Sequence, residues 1–358
     1  MAALAIPFAV GAAAGAGFAP AAAGTGLLGW MPALLGLGIA ALLPTALSAR
    51  RPLPCVSALF FLLGCFCQCS CALLPDLPVA IPAPAGRACA ALKRIIAAVP
   101  WPHERTESVV QALLTGDRSG LSRETTAAFR ASGASHLLAL SGLHLGIIYL
   151  IVRRLFALFG NTPPARRGRC AATLAATAFY TLMTGAGPST VRAFLYICVS
   201  EAHALSSGRR KDPGRILLAA LTIQLALTPR VITGVGFQLS YLAMLGISVL
   251  LPRLQAWYPS PRTRLGRADP LRKIWNAAAL TLSCQAFTAP LAWLRFGTFP
   301  KYFLLTNLIA LPLSGAGMVL SVATLTLSAL GCCPALLIEI NDALIQVLLR
   351  TLDIISTM

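Results

Sequence analysis

From His136 to Gly146 the chain reads His136-Leu137-Leu138-Ala139-Leu140-Ser141-Gly142-Leu143-His144-Leu145-Gly146, two imidazoles, a hydroxyl and two glycines in an otherwise apolar run. Polar groups are costly in hydrocarbon, so they turn toward a cavity or a neighbouring helix. Ser141 and His144 are three apart and would share one helix face. Two readings follow. In one, the small residues form a helix–helix seam and the Ser and His bond a neighbouring backbone. In the other, His136, Ser141 and His144 line a path through the membrane. A third chemistry, acyl transfer by Ser141 with His144 or His203 as base, needs the imidazole within hydrogen-bond reach and an oxyanion site. Ser and His at i, i+3 on one helix rarely reach that geometry.

Further along, Gly187-Pro188-Ser189-Thr190-Val191-Arg192-Ala193 opens another apolar run. Arg192 there either snorkels to the interface or presents a guanidinium to phosphate oxygens at a pore mouth. Glu201 and His203 are expected at the opposite interface. Gln238 and Ser240 add uncharged polar groups to the next apolar run but one. Asn307 stands five residues before Pro312, whose ring removes a backbone hydrogen bond and frees a carbonyl to line a cavity.

Other chemistries find little support. The four histidines, His103, His136, His144 and His203, form no His-x-His or His-Glu-x-x-His pattern, so no catalytic zinc site and no cofactor are expected. No Gly-x-x-x-x-Gly-Lys-Ser/Thr loop is present, so any active transport borrows its driving force from another protein. Cys65, Cys67, Cys69 and Cys71 are spaced by two, which spreads them round a helix. They read as small apolar filler, with a disulfide or a metal as the weaker alternatives.

The elements that must position these residues follow from composition. Apolar residues make up 57% of the 358-residue chain and charged residues 11%, against about 25% charged in a soluble domain. The mean hydropathy is +0.76. Long apolar runs without period-two alternation argue for helices over a barrel. The expected fold is therefore all-α, a polytopic membrane bundle of about ten or eleven spans. These are Ala2–Ala23, Leu27–Leu47, Leu53–Leu74, His136–Ile151, Cys170–Gly185, Thr190–Leu205, Ile216–Leu227, Gly234–Leu251, Ile274–Leu294, Tyr302–Leu330 and Ala335–Leu352. The span after Tyr302 is expected to be kinked or broken at Pro312. No basic residue precedes Arg50, so the first run reads as a retained span and not a secretory signal.

The net charge of +18 invites a nucleic-acid reading, but basic residues also collect in cytoplasmic loops. Four alternate loops hold 17 of the 29 basic residues: Arg50 and Arg51; Arg153, Arg154, Arg166, Arg167 and Arg169; Arg209, Arg210, Lys211 and Arg215; and Arg253, Arg262, Arg264, Arg267, Arg272 and Lys273. The intervening short loops offer Arg230, Arg295 and Lys301. This orientation puts the N-terminus inside and residues 75–135 outside. The chain divides into N-terminal spans (1–74), an external amphipathic connector (75–135) and a channel-type domain (136–358). The connector opens with a Pro-rich stretch, Pro75 to Pro84. It continues in helices near Ala88–Val99, Glu104–Leu114 and Arg123–Ala131, the last capped by Ser122 and stopped at Gly133. These helices carry few apolar residues and are expected to pack on the membrane surface.

The pieces Gly116-Asp117-Arg118, Gly120-Leu121-Ser122, Phe129, His136 to His144, Pro188 to Arg192-Ala193, Gly208-Arg209, Asp212-Pro213, Pro229, Gly236 to Tyr241, Pro290, Phe296-Gly297 and Asn307 to Pro312 occur in that order. Together, from Gly116 to Pro312, they resemble the ComEC family of bacterial DNA-internalisation channels. That resemblance implies a channel, not an enzyme, that passes one strand of DNA across the bacterial cytoplasmic membrane. It would work with a separate DNA receptor, an ATP-driven translocase and further copies of the chain. The DNA path would include Asp117 and Arg118 at an outer vestibule, then His136, Ser141, His144, Arg192, Gln238, Ser240 and Asn307. Residues 75–115 are too few and too helical for the external small β-barrel that members often carry. No metal motif of a metallo-β-lactamase-like hydrolase follows, so the chain is expected to be the channel core alone. The alternatives are a secondary transporter of a small anion and an intramembrane serine hydrolase.

Overall fold

The computed structural model describes residues 2–24, 29–48, 53–73, 82–160, 162–206, 212–258, 269–297 and 301–357. The basic positions Arg50, Arg51, Arg209 to Lys211 and Arg262 to Arg267 lie outside these residues, as do Gly208 and most of the Pro75–Pro84 stretch. Among the described residues every regular element is a helix, and the chain is an all-α polytopic membrane protein. Four helices among the described residues are long and apolar enough to cross a bilayer: Pro54–Ala72, Val235–Ala256, Pro270–Phe296 and Phe303–Ala329. Three shorter apolar helices, Leu4–Pro20, Met31–Ala40 and Pro213–Leu227, join them. Large apolar side chains such as Trp30, Leu158, Phe159, Trp293, Leu294 and Leu330 are exposed, a surface suited to lipid and not to water.

The chain forms two compact units, Met1–Val79 with Leu195–Tyr241, and Ala80–Phe194 with Leu242–Met358. In the first, α1 (Ala2–Gly24) lies on α3 (Leu53–Leu73), with α2 (Met31–Ser48) also against α3. The contact of α1 and α3 is backbone on backbone. A Cβ on Gly11 would stand 2.0 Å from the Phe61 carbonyl oxygen, and one on Gly64 2.1 Å from that of Phe8, so neither position admits a side chain. Cys65 fits the same seam, its thiol donating to the Gly11 carbonyl at 3.1 Å. Phe8 and Ala12 bury against Leu225 of α11 (Pro213–Leu227) and Phe237 of α12 (Val235–Val249). Arg230, in a 3-10 turn at Pro229–Thr233, donates to the Cys71 carbonyl at the end of α3, where a cation complements the helix dipole. Glu201, expected at an interface, is buried.

The second unit holds α4 (Ala83–Ala98), α5 (Glu104–Thr115), α6 (Arg123–Ala131), α7 (Ser135–Leu138), α8 (Gly142–Ala157) and α9 (Pro163–Met183). It continues through the start of α10 (Pro188–Ser206) and the end of α12 to α13 (Leu251–Ala256), α14 (Pro270–Phe296), α15 (Phe303–Ala329) and α16 (Ala335–Thr357). Asp269 before Pro270 and Thr162 before Pro163 show why helices start where they do. Each oxygen caps the first turn, and the proline occupies a position that needs no N–H. Asp212 before Pro213 does the same for α11. Pro312 sits inside a continuous α15 and does not break it.

The amphipathic helices α4 to α6 differ from expectation in their packing. Ser122 caps α6 and Gly133 follows it at φ +80°, as the sequence indicates. Their apolar faces, however, do not lie on a membrane surface. Ile96, Val109, Val110, Leu113 and Phe129 join one buried core with Met318 and Leu325 of α15 and with Ile345, Leu348 and Leu352 of α16. Thr306, near the start of α15, donates to the Ser132 carbonyl at 2.7 Å. Fifteen residues further along α15, Ser321 meets Asn341, the neighbour of the Asp342 that Thr106 bonds. At 1.5 Å per residue, the connector therefore extends along about 22 Å of the α15–α16 hairpin. The hairpin offers an apolar face long enough to bury these helices, which a lipid headgroup layer does not.

Candidate functional site

The run from His136 to His144 is not one helix. α7 ends at Leu138, the chain extends at Ala139, and α8 begins after Ser141, which is its N-cap. The Ser141 hydroxyl accepts the Leu143 N–H at 3.2 Å, and the His144 Nδ1 accepts the Ser141 N–H at 3.2 Å. This is the reciprocal arrangement of a capping box, with a histidine where Glu or Gln usually stands. Ser141 and His144 thus meet at a helix start and not across one helical face, correcting the expected shared-face geometry. Because Nδ1 accepts, the neutral ring carries its proton on Nε2. The Ser141 Oγ lies 3.0 Å from the same Nδ1. That is within reach for a nucleophile and base, but both atoms are already engaged in the cap.

His144 is only 3% exposed, whereas His136 is exposed and its Nδ1 donates to the Gly133 carbonyl at 3.2 Å. The two imidazoles therefore occupy different helices. Arg118 binds this bend from outside it. Its Nε donates to the Leu138 carbonyl at 3.0 Å, so a guanidinium closes the C-terminal end of α7 just before α8 begins.

Arg192 comes to the start of α8. A Cβ built on Gly142 would stand 3.5 Å from an Arg192 Nη and 3.5 Å from Ala193 Cβ. Arg192 is 8% exposed, so it does not reach out along an interface as a snorkelling side chain would. A guanidinium thus lies beside the first turn of a helix, the end at which the aligned peptide dipoles place partial positive charge. The two repel each other and both attract an anion. The junction can hold oxygens of a phosphate or carboxylate by charge-assisted hydrogen bonds.

Asp117 and Arg118 follow α5, which Gly116 terminates at φ +76°. The Asp117 carboxylate is taken up by its own surroundings: Lys93 Nζ at 2.5 Å, Gln111 Nε2 at 3.2 Å and the Ser119 N–H at 2.9 Å. The Lys93 hydrogen bond, followed by that from Ser119, holds this carboxyl well below the ordinary carboxylate range, and Asp117 in turn raises Lys93. Asn307 lies on α15 next to Thr306, and its Oδ1 is buried with no partner among the described residues. Gln238 and Ser240 belong to the first unit. Gln238 Nε2 donates to the Ile232 carbonyl at 2.8 Å and so ties the 3-10 turn to α12. Ser240 is half-buried. Within the second unit, Ser141, His144 and Arg192 meet at the start of α8, while Arg118 bonds the last carbonyl of α7 and His136 lies within α7.

One polar centre is not among the residues that sequence reasoning selected. Asp342 on α16 is 4% exposed, accepts from the Thr106 hydroxyl at 2.5 Å and lies 2.7 Å from His103 Nδ1. Gln346 Nε2 donates to Thr106 Oγ1 at 3.2 Å. The available signal was an acidic residue inside the apolar run Ala335–Leu352, which by itself marks a buried polar partner. All eleven cysteines are free, and no group of three His, Cys, Asp or Glu among the described residues could hold a metal.

The competence protein family model matches residues 113–358, more than half of the chain. Curated relatives include the ComE operon protein 3 of Bacillus subtilis (strain 168), 29% identical over 62% of this chain and 27% of that protein. The competence protein ComA of Neisseria gonorrhoeae is 28% identical over 57% and 28%, respectively. The uncharacterized protein YcaI of Escherichia coli (strain K12) is 26% identical over 63% and 29%. The chain thus spans between a quarter and a third of the length of these relatives. No solved structure matches it. Residue order, helical membrane architecture and the family match together make this chain a member of the competence protein family.

Proposed function

We propose that this chain is a channel of the bacterial cytoplasmic membrane through which a single strand of DNA enters the cell during natural transformation. The observation that carries the reading is the meeting of Arg192 with the first turn of α8 in a membrane protein of the competence family. A strand of DNA is a chain of phosphates, and each must find a partner on leaving water. One guanidinium and one helix N-terminus offer such a partner at a single level. A longer row of arginines would bind more tightly and release more slowly, whereas conduction needs weak sites. Arg192 contributes a planar fork for two phosphate oxygens. Ser141 and His144 fix the start of α8 by capping it, which holds the positive end of its dipole beside Arg192.

The proposed orientation has the N-terminus inside. Contacts within the second unit support it. The starts of α8 and α10 meet at Gly142 and Arg192, Tyr180 near the end of α9 donates to the Leu114 carbonyl, and Thr306 near the start of α15 donates to Ser132. Charge alternation assigns every one of these helix ends to the outer side. In the first unit, Arg230 and the end of α3 meet in the same way. The sequence carries no nucleotide-binding loop, so the driving force comes from an ATP-driven translocase, and a separate receptor delivers the DNA. The chain itself performs no chemistry on the strand.

The test is a deletion strain. Transformation with added DNA should be lost and restored by the gene in trans, while electroporated DNA still yields recombinants. Undiminished transformation in the deletion strain would refute the proposal.

A further inference from the structure

The exposed face of α6 carries a groove of about 380 Å³ lined by Leu121, Arg123, Thr126, Ala127, Arg130 and Ala131. The opposite face of this helix, Thr125, Ala128 and Phe129, is buried, so the groove is held on a fixed support. Arg123 and Arg130 are two turns apart, about 10.5 Å along the axis, and flank a floor of small apolar side chains with one hydroxyl. The acidic residues Glu124 and Asp117 are already paired. Glu124 pairs with Arg105 at 3.0 Å and Asp117 with Lys93 at 2.5 Å, whereas neither Arg123 nor Arg130 has an ion pair among the described residues. Ser132, next after Ala131, is bonded by Thr306 at the start of α15. That places the groove at an end of the hairpin, where water reaches it.

We infer that this groove is a docking surface for the backbone of the incoming DNA strand, upstream of the Arg192 junction. The inference rests on the channel reading and deepens it. Two uncompensated guanidiniums on one rigid face complement successive charges of a polyanion. The floor of Leu121, Ala127 and Ala131 leaves room for sugar and base between them, and the Thr126 hydroxyl adds a donor. Only three residues separate α6 from α7, and the bend and Arg192 follow. A strand seated on α6 therefore needs little further reach to arrive at the start of α8. An anionic lipid headgroup is the competing occupant. It would call for a single phosphate seat, whereas the groove has two cations spread over two turns.

Binding of fluorescein-labelled oligo(dT) to the full chain in nanodiscs of zwitterionic lipid, measured across a salt series, tests this directly. Each phosphate contact on a single strand contributes about 0.7 to the slope of log K against log salt. Arg123→Gln with Arg130→Gln should lower that slope by about 1.4 and weaken binding on the order of tenfold at moderate salt. The double Lys variant should keep most of the slope. Both side chains are exposed, so abundance should be unchanged. In cells, the double Gln variant should lose uptake at limiting DNA and recover at saturating DNA, because capture and not passage is impaired. Oligo(dT) binding by the parent with an unchanged slope in the double Gln variant would overturn the inference and leave the channel reading intact. A parent protein that supports no uptake would sink both. If the double Gln variant instead keeps its oligo(dT) slope and loses only binding to vesicles that contain an anionic phospholipid, measured in parallel, the groove is a headgroup site and the inference is wrong.

Discussion

Removing the Thr106 hydroxyl should destabilise the protein, and removing Asp342 along with it should restore most of the loss. Thr106 is fully buried and its hydroxyl lies 2.5 Å from a carboxylate that is 4% exposed. Two magnitudes compete. Hydrogen bonds between helices in membranes average only about 0.6 kcal/mol, because the unfolded chain in lipid also finds partners. Hydrogen bonds to charged groups contribute about 1.5–3 kcal/mol, and breaking a buried ionic pair costs more. Here the acceptor is a carboxylate buried with the hydroxyl, so the larger value wins. His103 still pairs with the other carboxylate oxygen, but its side chain is 56% exposed and compensates little. Thr106→Val, nearly isosteric, should then cost about 2 kcal/mol. At 2–4 °C per kcal/mol for a unit of this size, the purified protein should melt about 4–8 °C lower. Thr106→Val with Asp342→Leu removes donor and charge together and should be close to the parent, since apolar replacement of a buried ionic group is often neutral. The measurement is a double-mutant cycle by thermal unfolding in detergent. A Thr106→Val variant that melts within 1 °C of the parent, or a double variant at the sum of its singles, would refute the reasoning.

Three further outcomes follow from the site. His144→Gln keeps an acceptor for the Ser141 N–H and should fold at normal abundance, while His144→Leu loses the cap at a cost of about 1 kcal/mol and should accumulate less by immunoblot. Arg192→Lys should lower uptake of labelled DNA nearly as much as Arg192→Leu if the fork holds two oxygens, and far less if charge alone matters. Asp117 titrates below its unfolded value, so its pairing with Lys93 is fully present above about pH 4 and is lost as pH falls through the lowered value. The difference in melting temperature between the parent and Lys93→Met should therefore be flat from pH 5 to 9 and should shrink only in acid.

The sequence shows the membrane helices and their caps because both are local. Long apolar runs, Asp or Thr before Pro, and Ser122 with Gly133 around α6 can each be read within a few residues. The break at Ser141 was hidden because Leu140, Leu143 and Leu145 keep the run apolar through it, and because His at the third helical position is an unusual capping partner. The burial of α4 to α6 was not legible for a related reason. The buried face of α15 is marked only by small and hydroxyl residues, Thr306, Ala310, Ser314, Gly317, Ser321 and Thr324, which say that something packs there but not that it is the connector. Asp342 and His103 are 239 positions apart. No spacing rule joins them, and only the hairpin packing brings them together. Gln238 illustrates the converse. It was selected for its polarity in an apolar run, and its amide serves a backbone carbonyl six residues away.

Strand passage at the start of α8 is tested most directly by photo-crosslinking DNA halted in transit. A photoreactive amino acid replaces Leu143, whose side chain is 41% exposed beside Ser141 and Gly142. A second strain carries it at Ile354, exposed near the end of α16. Donor DNA ending in a streptavidin-blocked biotin stalls with its leading strand inside. Illumination should join the labelled single strand to position 143 and not to 354, and only in cells able to internalise DNA. Uptake that proceeds at the parental rate with no crosslink at 143 would contradict passage past Arg192.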